Sequence, residues 1–290
     1  EPEPEPEPAP APEPEPVPEP GPAPVPEPGP APVPAPEPVP LDRLRFELPP
    51  VHDDPALERA HRKQRLAGAL RLFGRLGYEE GVAGHITARD PEYDDCYWVN
   101  PFGRAPSALA PDDLLLVDGD GRVVRGERRV NQLAFAVHAA VHRARPDTVA
   151  VVRAYAPYGR ALAALGELLA PISQEACAFY QDHALVDAYV QGAGEAAECR
   201  RIARALGPYK ALILRNHGLL TVGDSVDAAA WWFIAAERAA QVQLIARAAG
   251  KPVPIDHRSA LAARERFGTD LAAWVGYQPL WQSVQEAARP

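Results

Sequence analysis

The chain has no methionine and only three cysteines, Cys96, Cys177 and Cys199, in 290 residues. Their odd number and the lack of Cys-x-x-Cys spacing argue against a disulfide framework and a cysteine-rich zinc site, and fit a reducing compartment. No apolar run approaches the length of a membrane-spanning helix, and the N-terminus has neither the charged nor the apolar stretch of a signal peptide. A soluble, non-secreted, cytoplasmic protein is the expectation, the missing initiator being what processing or trimming leaves. Basic residues are absent from the first forty positions, which hold nine Glu, the whole of the formal charge of −9. The remaining 250 residues are balanced, which argues against a nucleic-acid partner or an anionic membrane surface.

Proline is abundant instead. Twenty of the 35 Pro occupy the even positions from Pro2 to Pro40, with Glu, Ala, Val or Gly between them. Pro fixes φ at every second position and disfavours helix at each preceding residue. Residues 1–40 therefore read as a disordered Glu/Pro-rich tail of polyproline II character, reaching about 120 Å at about 3.1 Å per residue. A solvated spacer explains it better than an SH3-type ligand, because no basic residue flanks the Pro run. A domain over 41–255 and a helical extension over 256–290 follow.

Apolar positions Leu57, Ala60, Leu66, Leu70, Leu72 and Phe73 recur at helical spacing, closed by Gly77. Strands are expected at 84–89, 97–100, 114–117 and 123–124, the last two joined through Asp118-Gly119-Asp120-Gly121 as a hairpin. Helix 131–144, strand 148–155, helix 158–165, helix 195–206, strands 211–214 and 219–222, and a long helix from Ser225 to Ala249 complete a layered α/β domain. The Trp231–Ile234 and Val242–Ile245 stretches read as core or subunit contact. Trp274, Tyr277 and Trp281 suit a surface that covers a neighbour's pocket.

Several side chains carry chemistry. Arg153 and Tyr155 alternate onto one side of their strand, where an Arg can clamp a carboxylate or phosphate and a Tyr can donate a proton. The turn Arg215-Asn216-His217-Gly218 places His217 at a strand end. Residues 174–183 concentrate Glu175, Tyr180, Asp182 and His183, possible acid/base groups that an ordinary hydrogen-bonded loop accounts for about as well. His138 and His142 stand four apart on a helix, the spacing of two metal ligands on one face. No Glu follows His138 to make His-Glu-x-x-His, so a packed pair is the simpler reading.

Five segments in order, Gly81–Arg89, Trp98–Gly103, Asp113–Asp118, the His138 helix and Leu214–Leu219, together resemble the class II aldolase/adducin family over roughly 66–250. The match is to a branch of bacterial natural-product and catabolic pathways, some of whose members look like iron-dependent oxygenases. The resemblance implies a three-layer α/β/α domain around a mostly antiparallel sheet, commonly a homotetramer with active sites at subunit junctions. It also implies a divalent ion, held by a His-x-His pair and a later His, with a helix Glu as acid/base. Here Arg153 and Tyr155 stand at the His-x-His positions, Ala134 stands at the Glu position, and His217 is the one ligand position kept. An Arg has no lone pair to offer a cation. His85 replaces the Asn that many relatives carry in their glycine-rich loop.

Three functions are compatible with these residues. The leading one is a metal-independent lyase-type catalyst, of aldol, retro-aldol or decarboxylation chemistry, on a small carboxylate or carbonyl substrate. Arg153 would hold an oxyanion or carboxylate, Tyr155 would protonate an enolate, and His217 or His183 would move the proton, with His85, Asn100, Asn216, Tyr180 and Asp182 lining the substrate. The second is a non-catalytic, adducin-like oligomeric scaffold. The third is a zinc- or iron-dependent aldolase or oxygenase using an unforeseen set such as His217, His183 and Glu175.

Overall fold

The structure, a computed structural model, describes residues 43, 45, 47–82, 84–186 and 195–286. The Glu/Pro tail lies outside the described residues. Helix α1 (Pro55–Arg75) begins where the Asp54 carboxylate accepts from the Ala56 N–H at 2.8 Å and Pro55 fills the first helical position. Strands β1 (His85–Arg89), β2 (Cys96–Val99), β3 (Leu115–Asp118) and β4 (Val123–Arg125) follow. The β3–β4 hairpin is fixed by the Asp118 carboxylate, which accepts from the Asp120 and Arg122 N–H groups. Next come α2 (Gln132–Ala144), β5 (Ala150–Ala154), α3 (Pro157–Leu165), β6 (His183–Val186), α4 (Glu195–Leu206), β7 (Ala211–Leu214) and β8 (Gly218–Gly223). Helices α5 (Val226–Ala249), α6 (His257–Phe267) and α7 (Asp270–Glu286) close the chain. Ser225 caps α5 by accepting from the Ala228 N–H, and Asp227 turns inward to an ion pair.

The strands form one sheet in the order β4-β3-β2-β1-β5-β8-β7-β6, antiparallel throughout except for the parallel β6–β7 pair. Alternation along β5 sorts the layers. Ala150, Val152 and Ala154 join the core that α1, α3, α5 and α7 bury on one face, and Val151 joins Val137, Val141, Ile202 and Leu206 under α2 and α4 on the other. This is the expected three-layer α/β/α arrangement. Arg153 shares the parity of Val151 and so belongs to the α2/α4 face.

Two expectations change. Strand β6 begins at His183, the last residue of the stretch read as a polar cluster, because its pairing with β7 supplies what its own residues do not advertise. The C-terminal aromatics Trp274, Tyr277 and Trp281 are buried in their own chain instead of covering a neighbour. They pack there because Gly68 of α1 leaves room where any Cβ would strike the Trp281 ring, and the Arg65 guanidinium lies 3.9 Å over that ring. Trp232 and Phe233 are fully buried, while Val242 and Ile245 of the same helix are exposed. Among the described residues no helix is long and apolar enough to cross a membrane.

Candidate functional site

Three of the four residues expected to do chemistry meet where β5 and β8 end. Strand β5 pairs with β8 so that Arg153 faces Leu220 and Ala154 faces Leu219. The turn between β7 and β8 then carries His217 over the end of β5. Asn216 adopts φ +58°, its N–H donating to Ala163 O at 3.0 Å, and Gly218 adopts φ +130°, a conformation that favours glycine. In this geometry Arg153 Nη2 is in hydrogen-bond contact with His217 Nε2. Tyr155 Oη stands 3.5 Å from the same nitrogen, at the edge of hydrogen-bonding reach. Arg160 of α3 lies over the Tyr155 ring at 5.1 Å and is tethered to Glu80 at 2.6 Å.

A guanidinium has only donors, so His217 Nε2 accepts and its ring proton sits on Nδ1. The electrostatics agree. Burial, then the charges of Arg153 and Arg160, push the His217 imidazole down to about 4. Burial also works against the charge of Arg153, with Tyr155 opposing the effect. The cluster is therefore a fixed cation, a neutral imidazole and a phenol, gathered on a partly buried surface.

His85 is the cross-strand partner of Arg153 on β1 and is buried. Its imidazole is pushed down to about 4, by burial first and by Arg153 second. Behind it, Thr87 Oγ1 lies 3.0 Å from His138 Nδ1 and 2.9 Å from His142 Nε2. The i, i+4 histidines thus converge on a hydroxyl. His142 stacks on Tyr97 with ring centroids 4.4 Å apart. Both are held neutral by burial, His142 down to about 3 and His138 well below the usual range.

These shifts make an acid-stability prediction. Each folded pKa is depressed, so the contribution to stability is complete above the unfolded value of 6.5 and is lost as pH falls toward 4. Urea midpoints measured by circular dichroism should fall steadily between pH 6.5 and 4; a midpoint constant over that window would contradict the assignment.

The remaining expected residues are placed differently. Asn100 lies near the start of β1, its Nδ2 donating to Gly84 O at 3.2 Å while Oδ1 is buried without a partner among the described residues. Asn216 is exposed at the turn. His183, Tyr180 and Asp182 are not brought to the cluster: they sit at β6, the edge strand that β8 and β7 separate from β5. Both ring nitrogens of His183 are used internally, Nε2 accepting from Leu169 N–H at 2.9 Å and Nδ1 donating to Phe179 O at 2.6 Å. Tyr180 Oη bonds His257 Nδ1 at 2.9 Å, and Asp182 pairs with Lys210 at 2.9 Å. The polar density read from adjacency in sequence is a set of tertiary struts. What the sequence reading passed over is the depth of the other side, where Thr87 joins His138 and His142 behind His85; the alternation His85-x-Thr87 was the available signal.

The donor set does not fit the divalent ion that the sequence resemblance implies. The lone pair of His217 Nε2 faces a guanidinium, and among the described residues no three His, Cys, Asp or Glu side chains are grouped to hold a metal.

Residues 64–244 match the family described as Class II Aldolase and Adducin N-terminal domain. Decarboxylase NovR of Streptomyces niveus is 46% identical over 241 residues, spanning 82% of this chain and 89% of that protein. A 4-hydroxy-3-prenylphenylpyruvate oxygenase/4-hydroxy-3-prenylbenzoate synthase of Streptomyces roseochromogenus subsp. oscitans is likewise 46% identical, over 82% of this chain and 87% of its own. Among solved structures, an L-fuculose 1-phosphate aldolase from Glaciozyma antarctica PI12 superposes with a TM-score of 0.78 at 40% identity, covering 82% of this chain and 94% of that one. The eight-stranded sheet, the turn that presents His217 and these matches converge: the chain belongs to the class II aldolase and adducin family.

Proposed function

We propose that the protein is a metal-independent lyase that cleaves a carbon–carbon bond in a small carboxylate or carbonyl substrate. The observation that carries this reading is the contact of Arg153 with His217 at the strand ends, beside Tyr155. Any such cleavage that leaves an enolate needs a fixed positive charge where negative charge develops, and a partly buried guanidinium supplies one without reorganising. In a decarboxylation the electron pair of the C–COO⁻ bond passes into the enolate as carbon dioxide departs. In a retro-aldol step the substrate's developing oxyanion takes the Arg153 guanidinium, which frees His217 Nε2 to remove the β-hydroxyl proton as the bond breaks. In either case Tyr155 delivers the proton that quenches the enolate. The name of the decarboxylase relative favours the first of these.

The test is carbon dioxide release from 3-oxo acids, and aldehyde release from β-hydroxy carbonyl compounds, with and without a strong chelator. The expected result is turnover that the chelator leaves unchanged. Turnover abolished by chelation and restored by iron or zinc would favour instead a metal-dependent aldolase or oxygenase; the second Streptomyces relative is named an oxygenase. No turnover on either class would favour the adducin-like scaffold. In the retro-aldol step, where His217 is the base, burial and the Arg charges push its imidazole down to about 4, so the acid limb of kcat/KM should set in only as pH falls toward that value; an acid limb centred near 6.5 would assign the base to another group. A cytoplasmic homotetramer completes the reading, and sedimentation measures its subunit count.

A further inference from the structure

The α2-facing side of β1 carries polar atoms that neither the fold nor the proposed chemistry uses. His85 is 4% exposed, and neither of its ring nitrogens has a hydrogen-bond partner among the described residues. His138 is fully buried; its Nδ1 is taken by Thr87, and its Nε2 is likewise without a partner. The two rings meet edge to face, with centroids 6.1 Å apart. A neutral imidazole has one donor and one acceptor nitrogen, so the unpaired nitrogens of the two rings together match a group that both gives and takes a hydrogen bond. Thr87 cannot be that group, since its hydroxyl already bridges His138 and His142. Arg153 is the next side chain along this face, across the strand pair from His85.

We propose that His85 and His138 form a hydroxyl-recognition notch beside Arg153, so that the substrate of this site is a hydroxy acid or its enol, carboxylate on Arg153 and hydroxyl between the two imidazoles. Thr87 and His142 are positioning residues that fix the His138 ring. The proposal rests on the reading of Arg153 as the group that holds the substrate's anion, and it adds specificity. A site built to hydrogen-bond a hydroxyl rejects the analogue lacking it, because its buried donor and acceptor then stay unpaired.

The probes are two pairs of simple acids, lactate with propionate and 3-hydroxybutyrate with butyrate, titrated into the full-length protein by ligand-observed NMR. The expected result is that a hydroxy acid binds about tenfold or more tightly than its deoxy partner. His85→Phe and His138→Phe should erase that preference, and Arg153→Gln should weaken all four. Equal, Arg153-dependent affinities within both pairs would overturn the notch and leave the clamp standing, as would a preference that survives His85→Phe. Binding of none of the acids, or binding indifferent to Arg153, would overturn the clamp and the notch with it. The wild-type comparison decides the matter even where a histidine variant does not fold.

Discussion

Replacing Arg153 by Gln is expected to lower kcat/KM by about a hundredfold to a thousandfold, the loss typical when one preorganised donor to a developing oxyanion is removed. The argument runs through charge. The family resemblance implies two imidazoles facing a cation at the β5 positions that here hold Arg153 and Tyr155, and on the proposed reading the positive charge is carried by the chain itself. Glutamine keeps a hydrogen-bonding group on a shorter side chain and removes that charge. The variant should fold normally, because Arg153 lies at the end of β5 and its side chain meets the site residues His217 and Tyr155. Near-ultraviolet circular dichroism and the melting temperature check this. Full activity in a folded Arg153→Gln protein would remove the basis for the mechanism. Tyr155→Phe should act on turnover more than on KM, since it removes only the proton donor.

The largest effect on stability is expected far from the site. Arg65 of α1 and Asp227 of α5 form a bidentate pair whose side chains are 8% and 3% exposed. Gln278 of α7 closes the triangle, accepting from Arg65 at 2.8 Å and donating to Asp227 at 3.1 Å, while Trp281 stacks on the guanidinium. Three helices are thereby tied on one face of the sheet. Asp227→Ala leaves a buried guanidinium without its carboxylate and should destabilise the protein by about 3–5 kcal/mol. The double substitution Arg65→Met with Asp227→Leu removes both charges and should recover most of that loss, because a desolvated ion pair contributes little over well-packed apolar groups. Urea denaturation of the two variants tests the claim; a double variant as unstable as the single one would show that the pair itself, and not its half-broken state, governs stability.

Much of this architecture was legible because local chemistry and the fold agree. The alternation in Ala150–Ala154, the helix start at Ser225 and the Asp118–Gly121 turn each specify their element from a few adjacent residues. The meeting of Arg153, Tyr155 and His217 was legible in part: parity along β5 put the first two on one side, and a turn between apolar strands exposed the third. Their contact depends on β5 lying next to β8, a non-local pairing that no local pattern announces. The same limit explains Tyr180, Asp182 and His183. Polar crowding within ten residues looks like a site until the partners arrive from elsewhere: His257 to Tyr180, Lys210 to Asp182 and Leu169 to His183. Conversely, His138 and His142 read as a bland pair because Thr87, the atom they share, lies on another strand.

The central claim is that a guanidinium occupies the place of an ion, and metal content tests it most directly. The protein, expressed in medium supplemented with zinc, iron and manganese and purified without chelator, should carry far less than one equivalent of any of them. The variant Arg153→His with Tyr155→His should take up close to one equivalent, since it offers two imidazoles to join His217. One equivalent of a transition metal bound by the wild-type chain, and lost from a His217→Ala variant, would contradict the account.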